Sequence, residues 1–300
     1  MINSFKVNYI RDGLVEEFHE GFISFGDDDF ETPYYLRSCA KPLQAVLLVD
    51  YGIELTPEEF AVICGSHAGE DCHIEVLRNL LDKYRIDEKL LKCGVHSPLS
   101  RTKQDKMLLS GEKPSAIHNN CSGKHTGFLI ICKKMGWDME NYDSPNHPLQ
   151  IAVKNKINQM CEVKEDYPMT TDGCGVPILS MPLKNMAKGF LRLLEYSQII
   201  NAIKQNPYLF GGENRTDTEI IQKTNNLIAK VGAGGLCVVL NYKEKSGFAL
   251  RINDCSYEAR RIALFELINH LGWGKIEYDN KIKTISGKVV GEIKTEFSFY

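Results

Sequence analysis

The chain has 300 residues, 43% of them hydrophobic, enough apolar material for one large domain or two closely packed ones. Charged residues make up 25% and the formal net charge is -3, with no long basic run, so nucleic acid is not an expected partner. The longest apolar stretches, "PLQAVLLV" and "GFLIIC", fall far short of a membrane span, and the opening "MINSFKVNYIRDG" lacks the apolar centre of a signal peptide; together they predict a soluble cytoplasmic protein with no membrane partner.

In chain order, residues 5 to 25 alternate in strand fashion around "RDG", which predicts a hairpin turn at Asp12-Gly13. The "DDD" run at 27 to 29 reads as a solvated loop, and an apolar helix follows from about Ser38 to Asp50. "LTPEEFAVIC" carries a helix start: Thr56 as cap, Pro57 at the first position, then two glutamates. Residues 70 to 85 place Ile74, Leu77, Leu80 and Leu81 on one helical face. From 93 to 124 the chain reads as loop. Helices are expected from Thr126 to Gly136, across "HPLQIAVKNKINQMC", from about Pro182 to Gln205, and from Asp217 to Ala229. "TTDGCGVP" is a tight loop. "GLCVVLNYKEKSGFALRIND" reads as two strands, "YEARRIALFELINHLGW" as an amphipathic helix, and the tail as short strand-like pieces.

This order predicts an α+β fold. The N- and C-terminal strands share one antiparallel sheet with flanking helices, and a mainly helical domain is inserted between them. Residues 1–36 with 215–300 form the sheet part, and 37–214 the helical part. The ten cysteines, in a chain with no evident export signal, are expected to be reduced thiols, and Cys64, Cys132 and Cys237 sit in core-like context.

The Ser-x-x-Lys pattern occurs at Ser38/Lys41, Ser100/Lys103 and Ser110/Lys113. Only the first lies at the entry to an apolar helix. Residues three apart share a helix face, so the Lys41 amine can reach the Ser38 hydroxyl. Pro42 is tolerated only in a first turn, which puts Ser38 near the helix N-terminus, where negative charge on its oxygen is favoured. A lysine ordinarily near 10.4 must fall to about 7 to act as a base near neutrality, roughly 4 kcal/mol of bias, and burial with nearby Arg37 or Lys124 pushes that way. The ordinary alternative is a serine cap followed by a surface lysine.

Three further clusters carry reactive residue types. "NNCSGKHTG" (119–127) holds Asn120, Cys121, Lys124 and His125 where a loop enters a helix, a usual anion site. "TDGCG" (171–175) exposes Asp172 and Cys174 between glycines. "CGSHAGE" (64–70) puts Ser66 and His67 at a helix end. Each has a structural alternative: satisfied histidines, an Asx-turn aspartate, inert thiols. A zinc set built from Cys121, Cys174 and His125 lacks any paired C-x-x-C.

Taken together, "RSCAKPLQ", "SHAGE", "NNCSGKHTG" and "TDGCGVP", in this order, resemble the rhizobial-type L-asparaginase II family. That family's fold is similar to serine β-lactamases and penicillin-binding enzymes, and it hydrolyses L-asparagine to L-aspartate and ammonia. The resemblance covers about residues 5 to 272. It implies Ser38 as nucleophile, Lys41 as its base, and Ser66 in a second Ser–Lys pairing. It implies Arg37, His67, Asn120, His125 and Asp172 around the substrate, zinc on Cys121, Lys124 and Cys174, and Cys237 as a further pocket cysteine. Two departures stand out: Gly234 in "KVGAGG" where an acidic residue is usual, and Arg251 where a lysine is usual. Arginine stays charged and cannot serve as a base.

The residues fit such a substrate on their own chemistry. Arg37 and Lys124 suit a carboxylate, Asp172 an ammonium, and a serine alkoxide attacks an amide carbon. The expected partners are therefore a small amino-acid substrate and, as one allowed assembly, a homodimer. Zinc, where bound, does not perform the attack. The rival expectations are a glutaminase or another penicillin-recognising type of Ser-x-x-Lys hydrolase, and a non-catalytic zinc or thiol sensor.

Overall fold

Two alternating stretches at the N-terminus pair around Asp12 and Gly13, whose φ values of 45° and 87° suit the two-residue turn that Asp-Gly signals. The structure is a computed structural model that describes residues 3–299. The paired strands are β1 (Asn3–Arg11) and β2 (Leu14–Ser24), followed by the short β3 (Pro33–Tyr35) and a 3-10 turn over Arg37–Ala40. Helices α1 (Lys41–Asp50), α2 (Pro57–Cys64), α3 (Asp71–Lys83), α4 (Arg101–Ser110), α5 (Ser122–Met135) and α6 (Pro148–Met160) come next. Then come β4 (Met169–Thr171), β5 (Pro177–Pro182), α7 (Leu183–Arg192), α8 (Ser197–Gln205), α9 (Pro207–Phe210) and α10 (Thr216–Lys223). The chain ends with β6 (Leu227–Val231), β7 (Leu236–Asn241), β8 (Ser246–Ile252), α11 (Tyr257–His270), β9 (Lys281–Lys283) and β10 (Val289–Ser298).

Seven of these strands form one sheet in the order β6-β7-β8-β2-β1-β10-β9, with every neighbouring pair antiparallel. The expected sharing of a sheet by both ends of the chain is thus realised. Successive strand residues point to opposite faces. One face buries Phe5, Val7, Val239 and Leu250 against Phe265 and Ile262 of α11. The other turns Ile228, Val238 and Leu240 toward the helical layer, where they join Leu43, Val62 and Phe128. Both faces are covered, so the central strands read as near-continuous apolar runs. The middle segment is mainly helical, as expected, but it is tied to the rest: β3, β5 and β4 form a small second sheet.

Several expectations need correction. The presumed loop from 93 to 124 contains α4, a polar helix with one buried apolar residue, Met107, so it shows no periodic apolar stripe. The helix expected from 217 to 229 ends at Lys223, and Leu227–Val231 is a strand, because those residues pair with β7. Helix α5 begins at Ser122, several residues before Thr126. The tail pieces pair with each other and with β1, so they extend the main sheet.

Candidate active site

The residues singled out in the sequence converge where α1, α5 and the loop after α2 meet. Gly123 makes that meeting possible, since a Cβ there would lie 2.2 Å from the Val62 carbonyl oxygen of α2. The close approach seats the first turn of α5, with Lys124 and His125, against the segment that leads to Ser66. Lys41 is only 2% exposed. Its amine donates to Ser66 Oγ at 2.9 Å and to the Asn120 carbonyl at 2.7 Å. Burial, aided by the charges of Lys230 and Lys124 and opposed by Cys121 and Cys174, pulls its pKa down to about 8.

The expected Ser38–Lys41 hydrogen bond is not formed among the described residues; the lysine stem runs into the core and its amine meets Ser66 instead. Ser38 lies in the 3-10 turn, half-buried, one turn before Lys41. In such a turn positions i and i+3 eclipse, which leaves Ser38 on the same edge as the lysine. Arg37, just before it, has φ 48°, a left-handed conformation that costs a non-glycine residue energy and clusters at functional sites. Arg37 Nε sits 2.9 Å from Asp172 Oδ1, an ion pair whose N–H points off the carboxylate line.

Around the lysine lies a group of sulfur and nitrogen donors. Lys124 Nζ donates to Cys174 Sγ at 2.8 Å. The hydrogen bond from Cys174, followed by the charges of Lys41 and Lys124, holds the Cys121 thiol well below its usual range, while the same bond and burial push Cys174 up. Burial lowers Lys124, but the two sulfurs outweigh it and leave the ammonium more firmly charged than usual. His125 Nδ1 lies 2.6 Å from the Tyr142 hydroxyl, which in turn accepts from the Lys92 amide at 2.9 Å. The Tyr142 proton therefore points at Nδ1, and His125 carries its own proton on Nε2, which is buried and has no partner. Burial and the two lysine charges keep the ring neutral.

The sequence model of the L-asparaginase II family matches residues 7–295. The chain belongs to the L-asparaginase II family. Membership extends past residue 272, where the resemblance by motif stopped, and takes in the strand that pairs with β1. It makes the chain a member of an amidohydrolase family with a small-molecule substrate. Among solved structures, a protein assigned as a β-lactamase from Bacteroides dorei DSM 17855 aligns over 83% of this chain and 85% of its own, at 12% identity and a TM-score of 0.38. A β-lactamase from Mycobacterium bovis aligns over 90% of this chain and 95% of its own, at 14% identity and the same score. No curated protein sequence matches the chain. No helix among the described residues is long and apolar enough to cross a membrane.

Three residues expected at the site of this asparaginase II chain are placed elsewhere; one, Cys237, is fully buried on the sheet face that α11 covers. His67 is fully buried with both ring nitrogens used: Nδ1 accepts from the Gly69 amide at 3.2 Å, and Nε2 meets Ser122 Oγ at 2.9 Å. It has no polar atom left for a substrate. Arg251 lies on β8 with its guanidinium 4.2 Å from the Tyr34 ring centre and 3.1 Å from Asn253 Oδ1, so it does not replace a base for Ser66. Gly234, the other departure, sits in the β6–β7 turn at φ 72°, where its position faces open space. The lysine that the sequence reading passed over is Lys230. It is 0% exposed, points from β6 to the helical side with Ile228, and pairs with the equally buried Asp217 at 3.3 Å. Its charge is felt at Lys41. The signal was present in "LIAKV", a lysine in an otherwise apolar strand, but the expected helix ends at Ala229, and Lys230 enters only as the first residue of "KVGAGG".

Proposed function

We propose that this chain hydrolyses L-asparagine to L-aspartate and ammonia through an acyl-enzyme on Ser38. One observation carries the reading: the Lys41 amine is buried, held to Ser66, and pulled to about 8, one turn from a serine hydroxyl that has no partner of its own among the described residues. A neutral amine there takes the Ser38 proton, either directly or through the Ser66 hydroxyl. Ser38 Oγ then attacks the carboxamide carbon, the C–N bond breaks, and the lysine returns the proton to the departing ammonia. Water, deprotonated by the same amine, clears the ester and releases aspartate.

The recognition groups match a free amino acid. The Arg37–Asp172 pair offers one charge of each sign side by side, so a zwitterion can replace the pair with two ion pairs: its carboxylate on Arg37 and its ammonium on Asp172. The buried Nε2–H of His125 is an unpartnered donor in the same neighbourhood. The Asn120 side chain, half-buried beside the carbonyl that holds Lys41, completes the set. Cys121, Cys174 and Lys124 fit a zinc ion in donor chemistry once the ion displaces the Lys124 proton: two sulfurs and an amine lie together, and one sulfur has its pKa held below the usual thiol range. Zinc there would fix the loops that carry Asn120 and Asp172; the attack belongs to Ser38.

Ammonia release measured with asparagine, glutamine and a reporter β-lactam tests the proposal. Release from asparagine that disappears in Ser38→Ala, with unchanged circular dichroism, supports it. Release that survives the substitution ends the nucleophile assignment. A protein that binds zinc and releases ammonia from no amide would be the sensor instead.

A further inference from the structure

At the start of α3, Glu70, Cys72 and His73 bring a carboxylate oxygen, a thiol sulfur and an imidazole nitrogen within 4.8 Å of one another. We propose that these three residues bind a divalent cation of the zinc class, at a site distinct from the Cys121–Lys124–Cys174 group.

The surroundings are arranged as a ligand set requires. His73 Nε2 lies 3.0 Å from the Tyr208 carbonyl oxygen, which can only accept, so that nitrogen carries the proton. The lone pair is then on Nδ1, 3.6 Å from Cys72 Sγ. A ring N–H given to a backbone carbonyl is the usual orienting partner of a metal-bound histidine. The ring also stacks with two others, its centre 5.3 Å from that of His67 and 6.0 Å from that of Tyr208. Glu70 is likewise oriented: it accepts from the Tyr208 hydroxyl and, at 3.1 Å, from the Glu213 amide. In the metal-free protein the Nδ1 lone pair accepts the Glu70 amide at 3.2 Å, so metal entry exchanges that capping bond for coordination.

Access and ligand type point to the same class of ion. Glu70 and Cys72 line a cavity of about 290 Å³ together with Ser100, Lys103 and Tyr208. A cation entering there, past Lys103 and Lys106, would meet Glu70 and Cys72 first, with the buried His73 behind them. One sulfur, one imidazole and one carboxylate suit zinc or cobalt and are poor for calcium or magnesium. The site is chemically independent of the proposed hydrolysis, so it stands or falls separately.

Cobalt(II) is the probe. Full-length protein carrying Cys121→Ser and Cys174→Ser, stripped with a chelator and kept reduced with a phosphine, is titrated with cobalt and followed by absorption. The expected result is a thiolate-to-cobalt charge-transfer band with the visible bands of a four-coordinate ion. Adding Cys72→Ser, a half-exposed position where serine is tolerated, should abolish the charge-transfer band; Tyr208→Phe should keep it and weaken cobalt binding about tenfold. Absence of the band in the first protein, or its survival after Cys72→Ser, overturns the proposal. If the doubly substituted protein does not fold, the otherwise unaltered chain is compared with Cys72→Ser by bound cobalt: loss of an equivalent supports the site and unchanged stoichiometry refutes it.

Discussion

Lys41 sits where its uncharged form is favoured, and two consequences follow at the scale of single residues. Catalysis that needs the free amine should rise with pH along an apparent pKa of about 8, read from kcat/KM for ammonia release. Lys41→Arg keeps the positive charge at all accessible pH and should lower kcat/KM by about 10²–10⁴-fold. The same depression touches stability. The folded protein releases the Lys41 proton near 8 while the unfolded chain keeps it to about 10.5, so between those values the unfolded state binds more protons and the Lys41 contribution makes the fold more stable as pH rises. The full effect is on the order of 3 kcal/mol, and it should appear as a denaturation midpoint that shifts less with pH in Lys41→Met. Lys230 differs in having a buried acidic partner. Its partner Asp217 is as buried as it is, so Lys230→Met alone strands a charge and should cost about 3–5 kcal/mol, while the double change with Asp217→Leu should cost much less.

At the scale of elements, the three Ser-x-x-Lys occurrences show what local pattern can decide. Ser100 accepts from the Lys103 amide and caps α4, which is the ordinary fate of such a serine. Ser100→Ala should therefore cost about 1 kcal/mol of stability, measured by thermal melting, and leave turnover unchanged. Thr56 caps α2 as the sequence announced, and Glu59 completes a capping box with it, because capping chemistry is local and needs only residues three apart to agree. Helix α4 escaped the sequence reading for the matching reason: its buried contact is a single methionine, and a polar helix held by caps has no apolar stripe to read. Strand β6 was hidden because an apolar run buried on both faces lacks alternation, and only its pairing with β7 reveals it. Gly123→Ala tests element packing directly. The added methyl would meet the Val62 carbonyl, so α5 must move from α2, and both stability and turnover should fall together.

At the scale of the whole molecule, the candidate site was legible where residue types were out of place: a lysine in an apolar helix, cysteines among glycines, a histidine at a helix entrance. What each of them faces was not legible. Helix spacing points Lys41 at Ser38, three residues away, but the amine bonds Ser66, 25 residues away, and long-range partners leave no local trace. Lys230 was missed for the same reason: Arg251 and Lys230 both turn to the helical layer, and only the tertiary structure shows that Lys230 is fully buried beside Asp217 while Arg251 lies over Tyr34. That order also joins the tail to the opening strand along eight residue pairs, from Ser4 with Ser298 to Arg11 with Gly291. A chain cut after residue 275 should expose a long edge of β1 and collect in the insoluble fraction on expression. Strand order has one more consequence. β2, made early, finds β8 only when residue 252 has been synthesised, and β6, the bearer of Lys230, reaches the sheet only through β7 and β8. A ribosome-bound chain lacking those strands holds Ser38 and Lys41 without the layer that buries them, so the hydrolysis proposed for them would have to wait until translation is nearly done.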